Sequence, residues 1–353
     1  MPKKVLIGMS GGVDSSVSAL LLKKAGYEVI GATMKLWEPQ CNKQDTCGGD
    51  KGVEDAKKIC EKLGIPHYII DNQKEFNEKV IQNFINEYSN ARTPNPCIEC
   101  NKYLKFGAFY NKALELECDY IATGHYAKVE YSDKYNDYIL KKSDSIKKDQ
   151  TYFLYGINKE ILPKVLFPLE KIESKETVRQ IARDNGLEVA EKTDSQEVCF
   201  IPDDNYAGFV CKYEKQKKGN IVLKDGTVLG QHNGLINYTI GQRKGLGIAY
   251  KEPLYVLKLD VDSNEVIVGT EKQLYSNTLY ANELNFLLNI KLDKPINVNA
   301  KVRFRAQEAK AILYPPEKGI CKVEFNQPQR AITPGQSVVF YIDDIVLGGG
   351  KII

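Results

Sequence analysis

Residues 3–27 read KKVLIGMSGGVDSSVSALLLKKAGY. KKVLIGMS carries the short apolar run of a buried strand, and from Asp14 onward Val17, Leu20, Leu21 and Lys24 recur at helical spacing. Between strand and helix lies GMSGGVDSS. Glycines there let the backbone turn sharply, so that successive N–H groups can point at one anion, and the helix N-terminus adds its partial positive charge. Ser10, Ser15 and Ser16 supply hydroxyls; Asp14 is placed to cap the helix and to help hold a magnesium ion. A plain Gly-Gly turn is the bland alternative, but this serine-rich loop at a strand–helix junction points to a phosphate loop. No Gly-Lys-Ser/Thr follows, so it is not a Walker loop.

Outward from this unit, EVIGATMKL reads as a second strand, VEDAKKICEKLG as a helix, PHYIID as a third strand and CDYIATGHYAKV as a strand running into a loop. Strand and helix in alternation predict an α/β fold, a parallel sheet with helices on both faces and ligands at the carboxyl ends of its strands. After about residue 205 the pattern changes to short alternating runs with Asp-Gly and Asn-Gly turn signals. LYVLKLDVDSNEVIVGT reads as a hairpin about Asp262-Ser263-Asn264, and the last 75 or so residues look entirely β, a small barrel or sandwich. The expected division is a catalytic domain over 1–205, a small β-rich domain over 206–272 and a β-barrel over 273–353.

A chain of 353 residues suits two or three such domains; 42% hydrophobic and 27% charged residues fit a water-soluble protein. No apolar run approaches the ~20 residues of a membrane span, the N-terminus does not read as a signal peptide, and the cytosol is expected, with no membrane partner. The net charge of +3 does not by itself announce nucleic acid, although basic residues cluster at 141–150, 211–220, 241–245 and 301–305. Nine cysteines in a cytosolic chain argue against a disulfide framework. Cys60, Cys118 and Cys321 sit in apolar surroundings and read as buried residues.

Three other cysteines invite chemistry: Cys97 and Cys100 in NPCIEC (95–100), and Cys199 in KTDSQEVCFIP. A C-x-x-C spacing alone can mean half a zinc site, a redox pair, a cluster ligand set or a nucleophile pair. A thiolate is a strong nucleophile and can carry an extra sulfur as a persulfide, with a second cysteine to resolve it.

The SGGVDS loop resembles that of the ATP pyrophosphatase group, with its adenine nucleotide α-hydrolase-like domain, whose members split ATP into AMP and pyrophosphate. GMSGGVDSSVSALLL, TPNPCIECNKYLKF, ATGHYAKV, KKDQTYFLYGI, KTDSQEVCFIP and YTIGQRKGLG, in that order, together resemble the bacterial tRNA-specific 2-thiouridylase family. The resemblance implies ATP-dependent replacement of O2 by sulfur in the wobble uridine of tRNA. ATP, with Mg²⁺, would lie on Gly8, Met9, Ser10, Gly11, Gly12, Val13, Asp14 and Ser15, with Met34 and Gly124. Asn95, Pro96 and Cys97 would approach the target base. Cys100 matches the nucleophile and Cys199 the persulfide carrier, loaded by a cysteine desulfurase or relay protein and left in a Cys100–Cys199 disulfide. Lys148, Asp149 and Gln150 match one tRNA-contacting segment; Arg303 and Phe304 match another, on a run (KVRFR) that reads either as a strand laid against RNA or as an ordinary amphipathic edge strand.

One departure stands out: some family members carry Asp where this chain has Cys97. Cys97, Cys100 and Cys199 could then ligate a [4Fe–4S] cluster with one iron open to sulfide, and a zinc site could draw a further ligand from Cys41 or Cys47. The persulfide relay ranks first, the cluster second and zinc last. An ATP pyrophosphatase using a nitrogen nucleophile, or an RNA-binding protein with a vestigial loop, are the competing functions.

Overall fold

The computed structural model describes residues 1–37, 50–145, 147–192, 198–201 and 205–353; Cys41 and Cys47 lie outside them. The opening stretch forms strand β1 (Lys4–Gly8) and helix α1 (Val13–Lys24). β2 (Glu28–Lys35), α2 (Asp50–Leu63), β3 (His67–Asp71) and β4 (Tyr120–Ala122) follow, and a short strand Val165–Leu166 completes a parallel sheet in the order β3-β2-β1-β4-(165–166). Alternate β1 residues face opposite layers, as the period of a strand requires. Val5 and Ile7 pack with Val17 and Leu20 of α1 and Ile59 of α2, whereas Leu6 packs with Ile98, Phe106 and Phe109 on the other face. The chain departs from β1 toward β2 on one side and reaches β4 on the other. The crevice above the carboxyl ends of β1 and β4 is therefore the switch point where ligands settle in such sheets.

Residues 73–89 form a helix that opens on Gln73–Phe76, widens to a π turn over Asn77–Ile81 and continues over Gln82–Ser89. Its buried residues Phe76, Val80, Phe84 and Tyr88 recur at every fourth position. Four residues on a helix of 3.6 per turn overshoot one turn by about 40°, and one wide turn takes up part of that drift and keeps the row on one face.

A second sheet, of strands Gly219–Leu223, Val228–His232, Tyr255–Asp260 and Glu265–Gly269, forms the small central unit. Its last two strands are the expected hairpin, with Asn264 in the left-handed region (φ 53°) at the turn. The third sheet closes on itself: six strands between Tyr275 and Ile352 pair around a barrel in the order first, fourth, third, second, fifth, sixth, sealed where Tyr275–Phe286 meets Ile345–Ile352. Barrel, not sandwich, is the outcome.

The hairpin Lys128–Ser132/Asp137–Lys141 leaves the parallel sheet and joins the barrel edge through Lys141 opposite Ile345. Barrel residues Leu287, Val339, Tyr341 and Val346 also share a core with Leu6 and Ile121 of the first sheet. Barrel and nucleotide-binding sheet therefore lean on common side chains. Among the described residues no helix is long and apolar enough to cross a membrane.

Candidate nucleotide and sulfur-transfer site

A cavity opens at the β1/β4 switch point. Gly8, Met9, Ser10, Asp14 and Ser15 line it from the β1–α1 junction, Thr33 and Met34 from β2, and Thr123, Gly124 and His125 from the loop after β4. Gly11, Gly12 and Val13 build the loop rather than the lining: Val13 turns into the core, and Gly11 (φ +71°) passes so close beneath α2 that a Cβ there would stand 2.5 Å from the Gly52 carbonyl oxygen. Gly124 approaches from the far side, where a Cβ would lie 2.9 Å from the backbone nitrogen of Ser15. Bare backbone thus surrounds the start of α1, and no side chain caps that helix. A loop that keeps backbone N–H groups uncapped at a helix start suits a chain of phosphates.

The expectation that Asp14 caps α1 is corrected. Gly12 is the N-cap, because the sharp turn places Asp14 already inside the first turn. Its carboxylate instead accepts from the Tyr126 hydroxyl (3.0 Å) and from Lys175 Nζ (2.7 Å). Asp14 is the one carboxylate in the described lining of the cavity. A magnesium ion arriving with the nucleotide would find that single protein carboxylate, in competition with Lys175, and would take its other ligands from phosphate and water. Ser10 and Ser15 hold each other, with the Ser10 N–H donating to Ser15 Oγ (3.2 Å). Lys192 Nζ ties the loop to α2 by donating to Gly11 O (3.1 Å) and Asp55 Oδ2 (2.8 Å).

Cys97 and Cys100 lie near the start of a helix running from Pro96 to Glu115, α-helical over Pro96–Glu99, wide over Cys100–Ala108 and α-helical again over Phe109–Glu115. Pro96 sits at the first helical position, where its missing N–H costs nothing. Cys97 is exposed, whereas Cys100 is buried. Cys100 belongs to an apolar cluster with Phe76, Phe84, Leu104 and Phe200, and the half-buried Cys199 packs against the same cluster. Phe200, next to Cys199, meets Phe76 and Phe84 edge-on at 5.6 and 5.3 Å. The two cysteines, about 100 residues apart in sequence, therefore share one greasy wall. Leu36 is part of that wall and of the nucleotide cavity, and Met34 lines the cavity and packs against the cluster. Among the described residues no three His, Cys, Asp or Glu side chains converge to hold a metal ion, so Cys97, Cys100 and Cys199 do not form a ligand set in this arrangement.

Cys60, Cys118 and Cys321 are buried, as their surroundings suggested; burial pushes the Cys60 thiol up to about 12 and the Cys321 thiol up to about 11, which keeps both protonated and inert.

The three segments singled out for tRNA contact are linked to one another. Asn101, one residue past Cys100, donates to the Phe153 carbonyl (3.0 Å), and the Phe153 and Phe304 rings lie 4.3 Å apart. Within Lys148-Asp149-Gln150, Lys148 is half-buried, Asp149 is buried and accepts from Thr151, and Gln150 accepts from the Tyr126 N–H while lining the nucleotide cavity. The KVRFR run does not continue as a strand: the strand Ile296–Lys301 ends there and 302–305 turn. Arg303 donates to the carbonyls of Ile240 (3.4 Å) and Ala331 (2.5 Å) and to the Thr333 hydroxyl. Burial pushes its guanidinium below the ordinary arginine value. Arg303→Met is accordingly expected to cost about 1–3 kcal/mol of stability through unpaired acceptors, measured by denaturant unfolding. The salt dependence of tRNA binding should stay unchanged, whereas loss of a phosphate contact would lower that slope by about one.

Sequence reading passed over Lys105, His125, Lys175 and Lys192. Lys105, His125 and Lys192 stand inside quoted motifs (TPNPCIECNKYLKF, ATGHYAKV, KTDSQEVCFIP), so their signal was present but unweighted. Burial drives the His125 imidazole well below its ordinary value, so it sits neutral beside the cavity, its Nδ1 2.7 Å from the Thr123 hydroxyl.

Fold and site define an enzyme of the ATP-using phosphate-loop class joined to a β-barrel. Family models match along the chain: a tRNA methyl transferase HUP domain over 3–203, a tRNA methyl transferase PRC-barrel domain over 207–270 and an aminomethyltransferase beta-barrel domain over 276–352. Full-length relatives include the tRNA-specific 2-thiouridylase MnmA of Acetivibrio thermocellus, 49% identical with 99% of both chains covered. That of Clostridioides difficile is 47% identical, covering 100% of this chain and 98% of its own. The chain belongs to the MnmA family of tRNA-specific 2-thiouridylases.

Proposed function

We propose that the protein is a tRNA-uridine 2-sulfurtransferase, which uses ATP to replace O2 of the wobble uridine by sulfur carried on a cysteine. The observation that supports this most directly is the shared wall: Leu36 and Met34 separate a phosphate-loop cavity from a cluster holding Cys100 and Cys199. The "methyl transferase" in the family descriptions fits this site less well. A loop of uncapped N–H groups and small residues is built for a chain of phosphates, which a methyl donor does not supply.

In the proposed reaction the uridine leaves the anticodon stack to reach the site. Its O2 bonds to the α-phosphate of ATP, pyrophosphate leaves, and the backbone N–H groups of the loop donate to the oxygens that take up the developing charge. The terminal sulfur of a Cys199 persulfide then bonds to C2, and O2 departs with AMP. Cys100 thiolate attacks Cys199 Sγ; the sulfur–sulfur bond breaks with its electron pair going to the sulfur on C2. This leaves 2-thiouridine and a Cys100–Cys199 disulfide, which a thiol reductant reopens. Cys97, exposed beside Asn95, is assigned to the face that receives the base. The stretches 1–205, 206–272 and 273–353 serve as catalytic, connecting and tRNA-holding units. An upstream persulfide carrier, a cysteine desulfurase or a relay protein, loads Cys199.

The test is mass spectrometry of wobble nucleosides after incubation with tRNA, ATP and a persulfide donor, with AMP and pyrophosphate measured alongside. The expected outcome is 2-thiouridine together with AMP release that depends on tRNA. AMP release indifferent to tRNA, with no thiolated base, would overturn the reading. Parallel anaerobic runs with sulfide distinguish a relay, which needs the persulfide, from a cluster enzyme, which does not.

A further inference from the structure

The helix that carries Cys100 has a second face. Glu99, one residue earlier, points away from the cysteine cluster toward the barrel, where Lys351 Nζ of the last strand lies 3.9 Å from its carboxylate. The same ammonium lies 3.8 Å from Glu87 on the preceding helix and 2.9 Å from Glu283 of the barrel. Glu87 and Glu99 are both buried, and Arg92 pairs with Glu87 at 2.8 Å. Among the described residues Arg92 and Lys351 form ion pairs with these three carboxylates, and Lys351 is the one that pairs with Glu99. Glu283 is delivered by an irregularity of the barrel: its backbone is left-handed (φ 48°), at the register shift between Asn282 and Asn285. Such bulges re-aim side chains.

The barrel also grips the backbone just before the helix. Thr93 N–H donates to the Pro334 carbonyl (2.9 Å), and Gln336 donates to the carbonyls of Thr93 (2.9 Å) and Pro94 (3.2 Å). Gly335 (φ +88°) passes so near that a Cβ would lie 2.9 Å from the Thr93 nitrogen. The start of the cysteine helix is therefore fixed at two points by one wall of the barrel.

We propose that Lys351 is a positioning residue for sulfur transfer, acting through Glu99 to set the rotation of the helix start and hence the place of Cys100. Adjacent helical residues point about 100° apart, so a turn that frees Glu99 carries Cys100 with it. Burial raises the Glu99 carboxyl, and Lys351 is the largest influence opposing that rise. Lys102 adds a weaker positive influence on Glu99. Without Lys351, Glu99 faces Glu87 and Glu283 with its ion-pair partner gone, and a buried charge stripped of its partner moves toward water.

This inference rests on the proposed thiolation, and the experiment separates the two. Lys351→Met, Lys351→Arg and the double variant Glu99→Gln/Lys351→Met are compared with the unaltered protein for tRNA thiolation, tRNA-dependent AMP release, thermal unfolding and the rate of Cys100 alkylation by iodoacetamide, followed by peptide mass. In Lys351→Met, thiolation falls about tenfold or more, the equivalent of one tenfold step in rate. AMP release stays within about twofold, and Cys100 alkylates faster. Lys351→Arg keeps most of the thiolation, and the double variant, which removes the unbalanced charge, recovers it. Unchanged thiolation in Lys351→Met, or thiolation and AMP release falling together without recovery in the double variant, overturns the assignment. Should the unaltered protein itself fail to thiolate, the functional proposal falls; the alkylation rates still decide for or against Lys351.

Discussion

Gly11→Ala is expected to cut tRNA-dependent AMP release by about 100-fold or more, close to 3 kcal/mol of lost transition-state stabilisation. Two separate effects converge there. The left-handed backbone at φ +71° is strained for any residue with a Cβ, at about 1–2 kcal/mol. The new methyl would also meet the Gly52 carbonyl oxygen at 2.5 Å and Asp55 Cβ at 3.1 Å, atoms of α2 that have little room to give. Either the loop flattens or α2 withdraws, and α2 carries Asp55, through which Lys192 holds the Gly11 carbonyl. Both responses disturb the N–H cradle. The check is AMP release and equilibrium ATP binding, with tRNA binding as control. Because the segments that carry Asn95–Cys97, Lys148–Gln150 and Phe304, proposed to meet tRNA, are tied to one another and to the barrel, tRNA affinity should stay within about twofold. Gly12 makes a useful comparison: its φ is negative and a Cβ would meet nothing closer than Ser10 Oγ at 3.4 Å, so Gly12→Ala should be milder. Equal effects at the two glycines would show that the left-handed turn is not what shapes the loop.

The strand–loop–helix unit was legible because its signals are local: an apolar run, two glycines and a helical period that burial of Val17 and Leu20 bears out. The parallel sheet and the hairpin about Asp262–Asn264 followed from the same kind of local periodicity. What sequence could not supply was partnership across distance. Nothing local in DYILK at 137–141 says that this strand joins a barrel edge some 200 residues later. Asp14 looked like a cap because aspartate caps helices, yet capping is decided by which residue the glycine turn leaves at the boundary, and that was Gly12. KVRFR read as a strand, laid against RNA or at an amphipathic edge, yet 302–305 turn and draw Arg303 into bonds with Ile240, Ala331 and Thr333. Nothing local announced that Phe200 closes over Phe76 and Phe84 and sets Cys199 against the cluster that holds Cys100.

Cys199→Ala is expected to abolish 2-thiouridine formation while tRNA-dependent AMP release persists, the largest separation of the two activities available in this chain. Alanine removes the atom that carries sulfur, yet it disturbs little else. Cys199 is only half-buried at the edge of the cluster, and Phe200, Phe76 and Phe84 remain to hold the wall. The loss of one sulfur's contacts at a partly exposed site should cost no more than about 1 kcal/mol of stability. The proposed adenylation uses the switch-point cavity, whose described lining contains neither Cys100 nor Cys199. Cys100→Ser should fail later: sulfur still reaches the base, but no thiolate breaks the Cys199–sulfur bond, and tRNA stays attached to the protein through a disulfide that a reductant releases. A gel shift of tRNA with Cys100→Ser, reversed by dithiothreitol and absent from the Cys199→Ala/Cys100→Ser double variant, therefore orders the two cysteines. Thiolation by Cys199→Ala would remove Cys199 from the reaction. A reductant-sensitive adduct that survives in the double variant would move the carrier role to Cys97, the exposed third thiol two residues after Asn95.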